Sequence, residues 1–380
     1  MAPIFFYGRL CDRHLLEAVL GRAVDPRHLE EASADGCTTV AAAGREGPAL
    51  VPAPGRRAQG VLLHHAAEPD VARLTFFTGS RATLQPIAVT TASGSVEARC
   101  YRDPDEASTP AEDWNFAIWS RDHLAVEIEA VREYMDHFGS ISPEQATALW
   151  SGIRIRALQR VRAPAEEPVL GGLRSAFGPG DVEQVSLART LTGFLAVRDF
   201  ELRHRRFDGD WTGVLDRTVV VWGDAVSVLP YDPRRDEVLL IEQFRPAPWA
   251  RGDRNPWCIE VVAGRLDKAE TPEQTARREA VEEAGVTLGR IERIAAYYPT
   301  PGVASEHVTS FVGEADLAGA GGNHGLSHEQ EDIRTIVLGF DAAMAALEAG
   351  AVNTGIALTS LLWLATHRER LRAAWGTQGA

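Results

Sequence analysis

The stretch that most constrains this chain is Gly264-Arg-Leu-Asp-Lys-Ala-Glu270-Thr-Pro-Glu-Gln-Thr-Ala-Arg-Arg278-Glu279-Ala-Val-Glu282-Glu283-Ala-Gly285-Val286. It declares a helix with both ends marked. Thr271 offers a capping hydroxyl, Pro272 suits the first helical position and Gln274 completes a capping box. Gly285 is a natural left-handed stop. On that helix Glu279, Glu282 and Glu283 are spaced i, i+3, i+4 and share one face. Carboxylates crowded in this way repel one another unless cations sit among them. Hard oxygen ligands on a rigid helix suit Mg²⁺ or Mn²⁺. Glu270 and Arg278 can tie loop to helix by charge-assisted bonds.

Adjacent glutamates alone are ordinarily a solvated helix face. Here the whole string satisfies G-x5-E-x7-R-E-U-x-E-E-x-G-U, where U is a bulky or aliphatic apolar residue; Ala280 is the one small occupant. With its fixed identities, a chance match in a chain of this length is on the order of one in a million. The string resembles the Nudix box. That resemblance implies a mixed sheet between helices and a loop–helix–loop metal site that cleaves nucleoside diphosphates linked to another moiety.

The flanks narrow the resemblance. Leu229-Pro-Tyr-Asp-Pro-Arg-Arg-Asp-Glu-Val-Leu-Leu-Ile-Glu-Gln-Phe-Arg245 leads in, and Pro256-Trp-Cys-Ile-Glu260-Val-Val-Ala263 enters the box. Tyr297-Tyr-Pro-Thr-Pro301-Gly302-Val-Ala-Ser-Glu306 follows, then Gly325-Leu-Ser-His-Glu329-Gln-Glu331-Asp332-Ile-Arg334. From about Phe194 onward the chain is similar to the bacterial ADP-ribose pyrophosphatase branch of the Nudix hydrolases.

The resemblance implies roles for individual residues. The Ala263 carbonyl, Glu279 and Glu283 would hold the metal, joined by Glu331 from a later loop. Glu329 would be the general base on the attacking water, and Glu282 is counted with it among the catalytic residues. Gly264, Glu270, Arg278 and Gly285 would shape the box. Arg217 and Arg245 would contact the phosphate and adenosine side. Thr300, Pro301, Gly302 and Glu306 would approach the terminal ribose, and Phe194 would stack on adenine. The branch is typically a homodimer with exchanged N-terminal strands. Departures from the pattern are Thr300 in place of a more usual Ser, Thr218 and His307 where stronger charges are expected, and Trp222 and Arg265.

The chemistry also has a basis in the residues themselves. A diphosphate must lose charge repulsion before water attacks phosphorus, and divalent ions bridge its oxygens and acidify the water. A carboxylate then takes the proton, and must first reach it. Glu329 and Glu331 follow the Gly-rich run 319–325, which is expected to move as a lid.

At the other end, Tyr7-Gly8-Arg9-Leu10 follows a short apolar run. With Ala49-Leu-Val-Pro52, Gly60-Val-Leu62 and Ala98-Arg-Cys-Tyr101 it resembles the gamma-glutamylcyclotransferase-like fold. That family's catalytic acid sits in a leucine-aspartate-x-x-glutamate-glycine stretch. The matching stretch here is Leu74-Thr75-Phe76-Phe77-Thr78-Gly79, with both acids replaced. A hydroxyl at Thr78 cannot serve as a base at neutral pH. Cyclotransferase activity is therefore expected to be absent, leaving a binding, regulatory or dimer-supporting module. Such domain pairs occur in some proteins labelled tellurite-resistance proteins.

The remaining text divides at two polar, Pro-bearing breaks, 103–112 and 162–168. Short β runs precede the first, Ala/Glu/Arg/Leu-rich helices (114–138 and 143–160) lie between them, and β runs return after the second. The expected organisation is α+β: a β-barrel-like module with a helical extension over 1–165, and a Nudix module, an α/β sandwich, over 180–380. A net charge of −14 leaves no basic surplus to displace the counterions of a nucleic acid. No apolar run is long enough to span a membrane. The N-terminus lacks signal-peptide character, and the cysteines at 11, 37, 100 and 258 have no metal or disulfide spacing, which points to the cytoplasm. The expected activity is Mg²⁺-dependent cleavage of ADP-ribose to AMP and ribose 5-phosphate by a homodimer formed through the Nudix module. Two alternatives stay open: another sugar nucleotide such as GDP-mannose, and a sensor that binds without turnover. Retained acids weigh against the sensor.

Overall fold

The computed structural model describes residues 2–41, 47–103, 112–165, 173, 175–266, 270–326 and 331–376. Contacts divide the chain into two units, Met1–Arg174 with Thr192–Phe194, and Ser175–Leu191 with Leu195–Ala380.

The first unit is a closed barrel, strand order β1-β3-β2-β4-β5, with helices around it. Its strands are β1 (Ile4–Phe6), β2 (Leu29–Ala41), β3 (Pro48–Leu63), β4 (Thr83–Thr91) and β5 (Gly94–Arg102). Closure comes from β1, antiparallel to β3 and parallel to β5 through Ile4 opposite Arg99. Helix α1 (Arg13–Leu20) follows the Tyr7–Leu10 turn, and α2 (Glu68–Thr78) precedes β4. The helical extension comprises α3 (Phe116–Met135), α4 (Pro143–Ala148) and α5 (Trp150–Arg162), so the single helix expected over 143–160 is broken at Leu149. Leu15, Leu16, Leu74, Val131, Tyr134 and Ile153 pack these helices into one core. Phe5, Leu50, Leu62 and Val89 fill the barrel.

The second unit begins with a three-stranded sheet, β6 (Val182–Thr192), β7 (Ala196–His204) and β8 (Leu215–Val221), in that order. The eight-stranded sheet follows. It contains β9 (Ala225–Asp232), β10 (Glu237–Phe244), β11 (Trp257–Glu260) and β12 (Val262–Arg265). Short α6 (Pro246–Arg251) lies between β10 and β11. Next come α7 (Pro272–Ala284), β13 (Ile291–Tyr297), β14 (Val308–Glu314), β15 (Gly322–His324), β16 (Ile333–Gly339), α8 (Phe340–Glu348) and α9 (Gly355–Trp375). The sheet order is β13-β14-β9-β10-β16-β15, with β11 on β10 and β12 on β9.

Strands β9 and β10 read as apolar runs because both sheet faces are covered. Val226, Val228, Leu239 and Ile241 pack towards Ala276, Ala280 and Ala284 of α7. Leu229, Tyr231, Val238 and Leu240 pack towards Leu361 and Leu364 of α9. This alternation is what a strand's two-residue period dictates. The Gly-rich run 319–325 was expected to be a lid, but part of it is β15, paired with β16 from Gly322 opposite Thr335 to His324 opposite Ile333. Ladder bonds tie that part of the run to the sheet. Among the described residues no helix is long and apolar enough to cross a membrane.

Candidate active site

Helix α7 takes both its ends from its own sequence. The Gln274 N–H donates to Thr271 Oγ1 at 3.3 Å, the Thr271 N–H donates to Gln274 Oε1 at 2.8 Å, and Gly285 stops the helix at φ +66°. Ala276, Ala280 and Ala284 form its buried face, so the small residue at 280 suits a helix lying close on its sheet. The other functional contact is with β12. A Cβ at residue 264 would stand 2.0 Å from the Glu279 carboxyl, so only glycine lets strand and carboxylate approach this closely.

That approach buries the acids. Glu283 is 4% exposed and accepts a hydrogen bond from the Ala263 N–H at 3.0 Å. Glu279 pairs with Arg278 at 2.8 Å. The Arg278 guanidinium also reaches Glu270 at 3.1 Å and Glu282 at 2.7 Å, tying the loop before the helix to the helix itself. Burial pushes Glu283 up to about 8, against the pull of the Ala263 N–H and with added repulsion from Glu279 and Glu331. Burial likewise pushes Glu279 up to about 7, opposed by Arg278 and reinforced by Glu282 and Glu331. Three acids thus act on one another in a space with too little positive charge for them, which is the donor set a hard divalent cation fits. Among the described residues no three His, Cys, Asp or Glu side chains form a ready metal cluster. Glu279 and Glu283 are turned to Arg278 and to the Ala263 N–H.

These shifts set a pH dependence. Between the ordinary carboxylate value of 4.5 and about 8 the folded metal-free chain keeps protons that the unfolded chain has released. The stability they confer is present at the acid side and lost as pH rises through 7 to 8. The metal-free melting temperature is expected to fall from pH 6 to pH 9, and Mg²⁺ to offset that fall; a flat or rising profile by differential scanning fluorimetry would contradict it.

Arg245, at the start of α6, donates to Glu260 at 2.7 Å, and Gln243 donates to the same carboxylate oxygen at 3.1 Å. The Arg245 charge favours the ionised forms of both Glu283 and Glu306. Burial raises Glu306 above the usual carboxylate range, and Asp224 adds repulsion. Arg245, Glu279, Glu283, Glu306 and Glu331 therefore belong to one electrostatic group. Arg217 lies on exposed β8 and donates to the Asp216 carbonyl at 2.7 Å. Thr300, Pro301 and Gly302 are an exposed turn in which the Thr300 carbonyl accepts from the Val303 and Ala304 N–H groups. Phe194 is 66% exposed at the β6–β7 turn and groups with the first unit. Glu329 lies outside the described residues.

Sequence reasoning missed Glu260, Gln243 and Asp224. Glu260 stands in the flank leading to the box, but its meeting with Arg245 depends on the pairing of β10 and β11, Gln243 opposite Cys258 and Ile241 opposite Glu260. Asp224 is nearly buried, and its carbonyl accepts from the Leu266 N–H at 2.9 Å. Nothing in its local sequence marks it.

In the first unit a cavity of about 670 Å³ is lined by Tyr7, Arg9, Phe77, Thr78, Tyr101 and Trp150 among others. The hydroxyls that replace the two acids are both engaged. Thr75 is bonded to the Tyr101 hydroxyl at 2.8 Å, and Thr78 donates to the Leu74 carbonyl of its own helix at 2.9 Å. Arg9 is paired with buried Glu127. Glu144 also lines the cavity, but Ser80 and the start of its own helix hold its carboxyl below the usual range, which makes it a weak base.

Residues 221–353 match the NUDIX domain family, and residues 4–116 match the gamma-glutamyl cyclotransferase, AIG2-like family. The ADP-ribose pyrophosphatase of Escherichia coli K12 is 38% identical over 52% of this chain and 95% of its own length. That of Haemophilus influenzae is 34% identical over 52% of this chain and 93% of its own length. The GDP-mannose pyrophosphatase of Enterobacter sp. is 34% identical over 46% of this chain and 86% of its own length. With its box helix, its buried acids and these matches, the chain belongs to the ADP-ribose pyrophosphatase family of Nudix hydrolases and carries a gamma-glutamylcyclotransferase-like domain ahead of the hydrolase.

Proposed function

We propose that the chain hydrolyses the diphosphate bond of ADP-ribose, with one water, to AMP and ribose 5-phosphate. The observation that carries this is the burial of Glu283 with its hydrogen bond from the Ala263 N–H at 3.0 Å and the close approach of Glu279 to Gly264. Glu279, Glu283, Glu331 and the Ala263 carbonyl would hold Mg²⁺, or Mn²⁺ in its place. Bound there, such an ion would supply charge neutralisation of the diphosphate and acidification of the attacking water. Glu329 takes that water's proton, and Glu282 acts beside it through the Arg278 network. Arg245, oriented by Glu260, grips a phosphate oxygen. Glu306 accepts hydroxyls of the terminal ribose, approached also by Thr300, Pro301 and Gly302. Arg217 and Phe194 serve the adenosine side.

The functional domains are 1–165 and 180–380. The second acts as a homodimer, a reading supported by the β6–β8 sheet, whose β6 is exposed at nearly every position. None of the four cysteines is joined in a disulfide, which supports a cytoplasmic setting. The first domain binds or supports without cyclotransferase turnover, because Thr78 supplies no base. GDP-mannose is the second reading, favoured by the similarity to GDP-mannose pyrophosphatases.

The test is product release with Mg²⁺ from ADP-ribose, ADP-glucose, GDP-mannose, NADH and diadenosine polyphosphates. The expected result is preferred turnover of ADP-ribose with AMP and ribose 5-phosphate in equal amounts. Preference for GDP-mannose would install the second reading, and binding without turnover of any of them would install a sensor.

A further inference from the structure

Of the acids proposed to hold the divalent ion, Glu331 alone comes from outside α7. It stands just before β16, yet its charge adds repulsion at both Glu279 and Glu283. Where its carboxylate lies relative to the helix must therefore be set by contacts between elements distant in the chain.

Those contacts run through β15. His324 stands opposite Ile333 in the β15–β16 ladder, and Ile333 is buried in one core with Ala276, Ala280 and Ala284 of α7. The His324 imidazole reaches the C-terminal stop of that helix. A Cβ at Gly285 would lie 2.7 Å from its Cε1 and 3.3 Å from its Nδ1, so the ring takes the room that the missing side chain leaves. Its Nε2 is 3.2 Å from the Gly321 carbonyl oxygen. Only a protonated nitrogen can bond a carbonyl, so Nε2–H donates and keeps the ring from swinging away. Directly after His324, Gly325 lies against Glu331. Its φ is +102°, and a Cβ there would be 2.8 Å from the Glu331 Cβ and 2.9 Å from its carbonyl oxygen. Leu326 and Glu331 then bond each other. The Leu326 N–H donates to Glu331 Oε2 at 3.4 Å, and the Glu331 N–H donates to the Leu326 carbonyl, also at 3.4 Å.

One line of contact thus joins the stop of α7, the imidazole, β15, Gly325 and Glu331. A flat ring packed on backbone resists compression, and displacements of about 1 Å matter in a site of this kind. We propose that His324 is a positioning residue: by bracing β15 against the stop of α7 it sets where Glu331 stands relative to Glu279 and Glu283, and so the affinity of the site for a divalent cation. The inference rests on the proposed reading that these three acids hold the ion. It adds which side chain, itself no ligand, keeps them in register.

The experiment uses the full chain carrying His324→Ala, His324→Gln, Glu331→Gln, or His324→Ala together with Glu331→Gln. His324→Leu, which keeps bulk without the flat edge or the donor, replaces His324→Ala should that variant fail to fold. Calorimetry with Mg²⁺ alone gives the dissociation constant, and scanning fluorimetry gives the metal-free melting temperature. His324→Ala is expected to weaken Mg²⁺ binding about tenfold, as loss of a group that orients a metal ligand does. His324→Gln, whose amide can still donate to Gly321, is expected to recover most of that loss. In the Glu331→Gln background, removing the imidazole should change the Mg²⁺ dissociation constant by less than about twofold, because the carboxylate it positions is already gone. Unchanged Mg²⁺ affinity with a lowered melting temperature would overturn the proposal and leave His324 a packing residue. Equal losses in the two backgrounds would overturn it as well. If Glu331→Gln by itself binds Mg²⁺ as wild type does, the underlying reading of Glu331 as a ligand fails, and that is seen before His324 is touched.

Discussion

Glu283→Gln is expected to abolish nearly all turnover while leaving the fold intact. The carboxylate is buried, and in the metal-free chain it is largely protonated near neutral pH, its value pushed up to about 8. A neutral amide of the same shape therefore resembles the metal-free state. Its carbonyl oxygen can still accept the Ala263 N–H that Glu283 accepts at 3.0 Å. What it cannot supply is the charge that a hard cation needs. A loss of about 10³-fold in kcat/KM follows if several kcal/mol of transition-state stabilisation depend on the ion. Mg²⁺ affinity, measured by calorimetry, should fall with it. The metal-free melting temperature at pH 8 should be equal to or above that of wild type, because one repulsive charge is gone, and its fall with pH should be shallower. Unchanged turnover would remove Glu283 from the metal site. A lowered melting temperature would make its role structural.

Gly264→Ala is expected to be comparably damaging, by a different route. The added methyl carbon would lie 2.0 Å from the Glu279 carboxyl and 2.6 Å from its Cγ. Those atoms cannot share that space, so Glu279 must leave the strand or the strand must leave α7. Either displacement moves the Glu279 carboxylate, proposed to hold the metal, relative to the Ala263 carbonyl, and an error of about 1 Å in such a site costs on the order of 10²-fold. With the ion's hold on the diphosphate also weakened, a fall of about 10³-fold in kcat/KM is expected. Circular dichroism should remain that of a folded chain, since Gly264 does not occupy the left-handed backbone region and alanine can adopt its conformation. Activity within a few-fold of wild type would mean that Glu279 need not approach β12 for catalysis.

The box helix was legible because its determinants are local. Thr271, Pro272, Gln274 and Gly285 act within a few residues of themselves, and the capping bonds and the φ of +66° are those their sequence calls for. The glutamate face followed from helical spacing alone. The loss of both acids at Thr75 and Thr78 could be read from the chain, but the engagement of their hydroxyls could not. That depends on α2 forming and on Tyr101 arriving from β5. Strands β2, β6 and β7 were not anticipated. They carry many polar residues, and β6 is exposed at nearly every position, so no single buried face writes a two-residue period into it. The break at Leu149 was likewise hidden, since both halves of 143–160 consist of good helix formers.

Sequence alone determined the chemistry this protein carries: which residues are acids, how they are spaced on one helix, and where that helix starts and stops. These are short-range properties of the chain. Tertiary structure decided how those acids behave. Burial against β12 raises Glu279 and Glu283, and the pairing of β10 with β11 gives Arg245 its partner Glu260. Desolvation and charge coupling depend on distances between residues far apart in the chain, and only the folded sheet sets those distances.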